Sequence, residues 1–193
     1  MRILIQTGRL PCSAYSACSR ATLPSLLVAM AWFSTAGAAE AQTGEIRCAV
    51  TDNGAPAHGT IAVEQNGRKV GAGSCGAILS VPPGKCTVTV RLDGTLDNPA
   101  KTVSVEVVAG KTVPVAVNFQ TGVLEVRIEA KGQSGTGIVT VNRGGKRIGT
   151  VGSGVGARLS AGSYEVVVRL GGQERRYSVD LRPGQRRVVR AQF

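Results

Sequence analysis

His58 is the one histidine of the chain. With three cysteines beyond residue 41, two glycine motifs and a run of arginines, it makes up nearly all the residues whose type and spacing could do chemistry. A metal centre needs several ligands at set spacings, and His58 stands alone in the Pro- and Gly-rich stretch Ala55-Pro56-Ala57-His58-Gly59, so no metal is expected. Gly71-Ala72-Gly73-Ser74-Cys75-Gly76 spells a dinucleotide fingerprint. That fingerprint works only where a helix N-terminus follows to face the pyrophosphate, and Ala77 to Val81 reads as a strand. Gly110-Lys111-Thr112 copies the end of a phosphate-binding loop, but Val105 occupies the position of the loop's first glycine. Nothing around this one histidine marks out a nucleophilic triad. The chain reads as a non-enzyme without a cofactor.

The cysteines are better understood through compartment. Arg2, Arg9 and Arg20 precede an apolar run from Leu23 to Phe33, and Ala36-Gly37-Ala38 or Ala39-Glu40-Ala41 follows with the small residues of a cleavage site. This is the pattern of a secretory signal over residues 1–41. The apolar run is shorter than the roughly 20 residues a spanning helix needs, so the mature chain is expected to be exported, periplasmic or secreted, with no membrane span. Export leaves Cys48, Cys75 and Cys86 in an oxidising space. One disulfide among them is expected, all three pairings being open, and no Cys-x-x-Cys suggests redox catalysis.

The elements that position these groups come from a duplication. Residues 44–92 match 122–170 without a gap at an offset of 78, and after a four-residue deletion Val105, Gly110 and Phe119 match Val179, Gly184 and Phe193 at an offset of 74. Apolar residues alternate with a period of two throughout, and no segment shows helical periodicity. Seven strands per copy are predicted, in copy one at about 45–50, 60–65, 68–72, 77–81, 86–92, 101–108 and 112–119. Asn66-Gly67 and its counterpart Gly144-Gly145 are two-residue hairpin signals. The alternation points Ile46, Cys48, Val50, Val88, Val90, Leu92, Val103, Val105, Val107, Val113, Val115, Val117 and Phe119 inward. The expected fold is all-β: two tandem seven-stranded Ig-like or prealbumin-like sandwiches, over 43–120 and 121–193, after the signal peptide. Only Gln120 separates Phe119 from Thr121, which leaves no flexible linker.

A family resemblance rests on two stretches, Leu79-Ser80-Val81-Pro82-Pro83-Gly84-Lys85-Cys86-Thr87-Val88-Thr89-Val90 and Val105 to Phe119 (VEVVAGKTVPVAVNF). A strand, Pro-Pro-Gly, a strand, then Ala-Gly-Lys-Thr between valine-rich strands resembles the carboxypeptidase-regulatory-like, prealbumin-like repeats of bacterial exported proteins, including those attached to von Willebrand factor A domains. The resemblance covers both copies, although copy two has Ser160-Ala161-Gly162-Ser163-Tyr164 in place of Pro-Pro-Gly-Lys-Cys. It implies a sandwich fold and a non-catalytic module.

Charge distinguishes the copies. Residues 44–120 hold seven Lys and Arg against six Asp and Glu, a net of +1, whereas 121–193 hold thirteen against five, a net of +8. The last two strands of copy two, Gln173 to Phe193, are read as a hairpin whose alternation sends Arg176, Arg182, Arg186 and Arg190 to the outer face, with Arg187 beside the turn. Paired antiparallel, they would form one guanidinium patch able to grip phosphate or carboxylate. Copy one has Thr112, Pro114, Ala116 and Asn118 on the equivalent outward positions, so the fold itself does not demand arginine there. The expected function is therefore a non-catalytic exported binding module whose copy two meets an anionic cell-envelope polymer or an acidic protein. Nucleic acid is disfavoured, because the patch lacks exposed aromatics for stacking. The alternative is a structural subunit that pairs with a separate active partner through strand edges or a free cysteine.

Overall fold

A computed structural model of the protein describes residues 42–193; the signal expected over 1–41 lies outside the described residues. Those residues are all-β, and each repeat folds as a sandwich of two sheets. Repeat one holds β1 (Gly44–Asp52), β2 (Ala55–Pro56), β3 (Gly59–Gln65), β4 (Arg68–Ser74), β5 (Ile78–Val81), β6 (Gly84–Leu92), β7 (Ala100–Val107) and β8 (Thr112–Phe119). Repeat two follows with β9 (Thr121–Ala130), β10 (Gln133–Ser134), β11 (Ile138–Arg143), β12 (Lys146–Val151), β13 (Gly156–Ser160), β14 (Gly162–Leu170), β15 (Gln173–Leu181) and β16 (Arg186–Gln192). Seven strands of repeat one fall where alternation predicts them. The eighth, β2, has two residues, too few to show a period.

In each repeat one sheet is an antiparallel path, β4-β3-β6-β7 or β12-β11-β14-β15. The other centres on the first strand, which pairs antiparallel with β5 or β13 and, on its opposite side, parallel with the last strand, β8 or β16. Asn66 and Gly67 both take positive φ (52° and 73°), as the tight β3–β4 hairpin requires, and Gly144 and Gly145 do the same (56° and 76°). The duplication reproduces even the irregularities. Register shifts after Val63 in repeat one and after Val141 in repeat two leave Val70 and Ile148 to pack against their respective cores.

Core formation follows the alternation. Ile46, Cys48, Val50, Val88, Val90, Leu92, Val115, Val117 and Phe119 are buried together in repeat one, and Leu124, Val126, Val166, Val168, Val179 and Val189 in repeat two. Each buried aliphatic side chain contributes about 1.5–3 kcal/mol relative to an exposed one. Val103 departs from expectation, being 38% exposed. It lies on β7, the edge of its sheet, where the facing layer no longer covers it.

The repeats touch through polar groups and through one leucine. The carboxylate of buried Asp52, at the end of β1, accepts from the Thr121 hydroxyl at 2.5 Å and from Arg158 Nε at 3.0 Å. The β6–β7 loop, where repeat two is shorter, supplies a second contact. Its Leu96 packs on the core of repeat two, and Leu96 N–H donates to the Arg158 carbonyl at 2.8 Å. Both Asp97 carboxylate oxygens accept the Ser160 N–H (3.2 and 3.1 Å), and Tyr164 Oη lies 3.4 Å from one of them while donating to the Ser160 carbonyl at 2.7 Å. Burial, with the Asp97 charge adding to it, pushes the Tyr164 phenol up to about 12.

Cys48 pairs with Cys75, tying β1 to the turn after β4 with 4.8 Å between Cα atoms, and Cys86 is a buried free thiol that burial pushes up. Repeat two holds the same turn without sulfur. Ser153, the counterpart of Cys75, accepts from Ile128 N–H at 3.1 Å, and Gly154 N–H reaches the Val126 carbonyl as Gly76 N–H reaches that of Cys48. Replacing the bridge with repeat two's residues, Cys48→Val with Cys75→Ser, should leave the fold intact and lower stability by about 3.5 kcal/mol in urea denaturation, the loop-closure value for a bridge of this span. Tyr164, neutral in the folded state, should contribute stability that is complete below pH 10 and lost as pH rises toward about 12. Tyrosinate absorbance should show that late ionisation, and Tyr164→Phe should remove it.

Candidate anion-binding face

The expected arginine hairpin does not form. β15 pairs with β14, while β16 pairs in parallel with β9, so the two strands belong to different sheets. The segment Arg182 to Gln185 carries the chain from one layer of the sandwich to the other instead of turning it back on itself. Its ends are held by Gly184 N–H to the Thr121 carbonyl and Arg182 N–H to Gln185 Oε1. Arg182, exposed, sits in this connection.

The four arginines are therefore divided. Arg176 lies on the four-stranded sheet in a matched network, its guanidinium shared between Glu174 (2.8 Å) and Glu165 (3.2 Å), with Arg169 also on Glu174 at 2.7 Å. Asn142 first, and then Arg176, holds Glu165 below the usual carboxylate range by hydrogen bonding, and Arg169 with Arg176 holds Glu174 below it. In turn Glu174 and Glu165 raise Arg176 further. Arg176 is thus neutralised where it stands.

Arg186 and Arg190 stand on β16, and a residue that the sequence analysis did not single out joins them. The parallel register sets Arg186 opposite Val123, Val188 opposite Glu125 and Arg190 opposite Arg127. Because Leu124, Val126 and Ile128 fill the core, their neighbours Glu125 and Arg127 face outward. Arg127, Arg186 and Arg190 consequently share the outer face of the β13-β9-β16 sheet. Glu125 lies between two of them, 2% exposed because their side chains cover it. It accepts from Arg127 Nε at 2.7 Å and from Arg186 Nε at 3.1 Å, and these bonds hold its carboxyl below the usual range. Among the described residues Arg190 has no carboxylate partner. Comparing first strands would have exposed the signal, since Glu125 and Arg127 occupy the positions of Arg47 and Ala49 in repeat one.

The other motifs are placed as the sequence analysis reads them. Gly71 to Gly76 run through β4 and the following turn, Gly110-Lys111-Thr112 turns from β7 into β8, and His58 is exposed in the loop before β3. Among the described residues no group of three or more His, Cys, Asp or Glu could hold a metal, and no helix is long and apolar enough to cross a membrane.

Residues 42–193 form two β-sandwiches, with an arginine face on the second. No family model and no curated protein matches it. Among solved structures, it is similar to the Bacillus anthracis TIE protein (16% identity, TM-score 0.35), the match covering 79% of this chain and 34% of that one. A candidate adhesin from Bacteroides ovatus is similar at 11% identity and TM-score 0.41, over 72% of this chain and 76% of that one. The shaft pilin SpaA from Lactobacillus rhamnosus GG, as a double mutant, is similar at 7% identity and TM-score 0.33, over 78% and 97%. The chain thus spans about a third of the length of the first of these.

The lowered carboxyl of Glu125 gives a test of the face's construction. Its ion pairs should contribute stability that is complete above the usual carboxylate range and lost as pH falls through its lowered folded value. The acid limb of a melting-temperature profile should be shallower in Glu125→Gln than in the parent chain.

Proposed function

We propose that this chain is a non-catalytic, exported β-sandwich binding module that meets an anionic envelope polymer or an acidic protein through the outer face of β13, β9 and β16. The prealbumin-like repeat pattern and the export signal belong to the same reading. One observation carries it: Arg127, Arg186 and Arg190 share one face, whereas repeat one has Ala49, Thr112 and Ala116 at the equivalent positions. Two sandwiches of one design differ here in charge, so the sandwich itself does not demand arginine at these positions. Glu125 fixes two guanidinium groups in place, which lowers the entropy lost when they close on a phosphate or carboxylate. Arg190 is left to supply charge without an internal partner.

Binding of the chain from residue 42 onward to immobilised polyphosphate and polyglutamate across a salt series tests the proposal. Affinity should fall steeply with ionic strength. Arg127→Ser, Arg186→Ser and Arg190→Ser combined should lower it at least about tenfold at low salt, a loss of 1.4 kcal/mol or more. Arg176→Ser should change it by less than about twofold, because Glu165 and Glu174 already occupy that guanidinium. Equal losses from Arg176 and from the face would point instead to a diffuse charge effect.

A further inference from the structure

The last strand of each repeat is the edge of its sheet, and the two edges differ in a way that charge alone does not explain. In repeat one the bonds from Glu45 N–H to the Lys111 carbonyl and from Asn53 N–H to the Phe119 carbonyl orient the odd-numbered residues of β8 toward β1. Thr112, Pro114, Ala116 and Asn118 therefore turn their backbone groups to the open side. Pro114 has no N–H to offer there, and Lys101 Nζ occupies the Asn118 carbonyl at 2.7 Å. Edge prolines and lysines are devices that stop a further strand from adding.

Repeat two lacks both devices. Val123 N–H donates to the Gln185 carbonyl, and Phe193 both donates to Glu129 and accepts from Lys131, so the odd residues of β16 again face inward along the sheet. Arg186, Val188, Arg190 and Gln192 present their N–H and C=O groups to the open side, and all four are exposed. Val188 stands where repeat one has Pro114. Arg175, the counterpart of Lys101, lies over the Phe193 ring, 5.8 Å from its centroid. Among the described residues nothing bonds to this edge.

The side chains of those residues lie on the arginine face, in the order Arg186, Val188, Arg190, with Val188 39% exposed. A strand laid along the edge would place its own side chains beside them, where opposite charges attract and like charges repel. A second copy of β16 would set arginine against arginine, and β8 of another copy is blocked by Pro114. We infer that the free edge of β16 is an acceptor for an extended segment of an acidic partner, carrying carboxylates four residues apart with an apolar residue midway, added as a further strand of the sheet. This deepens the proposed function, on whose arginine face it rests. The backbone ladder would supply affinity, and the Arg-Val-Arg order would select the partner.

The test uses the chain from residue 42 onward, a peptide built around Glu-Thr-Val-Thr-Glu, the same peptide N-methylated on the amides that would meet the edge, and inorganic polyphosphate. The unmodified peptide should bind and should slow amide exchange at Arg186, Val188, Arg190 and Gln192. Val188→Pro, which copies repeat one and costs no ladder bond within the sheet, should weaken that binding at least about tenfold while polyphosphate binds as before. N-methylation should weaken binding to the unaltered chain to the same extent, which keeps the result independent of how Val188→Pro folds. If the N-methylated peptide binds as well as the parent, or the four amides exchange unchanged, strand addition is wrong and the arginine face stands alone. If polyphosphate binds and neither peptide does, the edge inference likewise falls and the face survives. If no anion binds, both fall.

Discussion

Parallel pairing of the first and last strands closes each repeat, and most of what is distinctive in this molecule depends on it. An antiparallel return from β15 would keep β16 in the same sheet, whereas pairing with β9 pulls it across the sandwich and sets Arg190 beside Arg127. The same closure places Phe119 level with Asp52 at the end of β1. With Gln120 alone between β8 and β9, repeat two must begin at that end. Thr121 is thereby brought onto the Asp52 carboxylate, and Arg158, on the neighbour of β9, reaches the same oxygen. One topological constraint thus fixes both the junction and the arginine face.

Duplication held that frame constant while the chemistry upon it diverged. The turn after the fourth strand is held by a disulfide in repeat one and by a serine hydroxyl in repeat two. Cys86 stays buried as a thiol, while its counterpart Tyr164 extends its hydroxyl to the Asp97 loop. That loop is where repeat one is longer, so the added residues and the tyrosine belong to one contact. The position that carries Arg47 in repeat one carries Glu125 in repeat two, and a carboxylate there is tolerable only because Arg127 and Arg186 satisfy it with charged hydrogen bonds.

The sequence makes the strands legible because a sandwich buries alternate residues and glycine or Asn-Gly pairs must mark the turns. Ile46, Cys48 and Val50, or Leu124 and Val126, declare their direction without any knowledge of partners. Periodicity carries no information on which strand lies beside which. Gln173 to Phe193 reads as a hairpin because Arg182-Pro183-Gly184-Gln185 is as good a turn for a reversal as for a crossing between sheets. Only the partner of β16 distinguishes them, and that partner, β9, lies about sixty residues earlier. For the same reason Arg186 and Arg190 could be sent outward from the sequence, while Arg127 and the buried Glu125 could not be joined to them. The disulfide was constrained to three cysteines, and the pairing waited on the turn that brings Cys75 back to β1.

A net charge counts cations and says nothing of where they are already satisfied. On the four-stranded sheet of repeat two, Arg169 and Arg176 meet Glu165 and Glu174 in equal number, and the sheet surface there is balanced. On the sheet built around β9 one covered carboxylate faces Arg127 and Arg186 together, and Arg190 lies beyond its reach. A buried carboxylate shared by two guanidinium groups holds both still without cancelling both, so the face keeps excess positive charge in a fixed geometry. Fixed excess charge favours recognition of an anion more than a larger number of mobile lysines would, because the entropy of ordering the side chains has been met in folding. The strand that carries two of these arginines also leaves its backbone unpaired at the edge of the sheet. Charge and hydrogen-bonding capacity therefore coincide on β16, whereas β8 of repeat one carries no charge and its open edge is interrupted by Pro114 and by Lys101 on the Asn118 carbonyl.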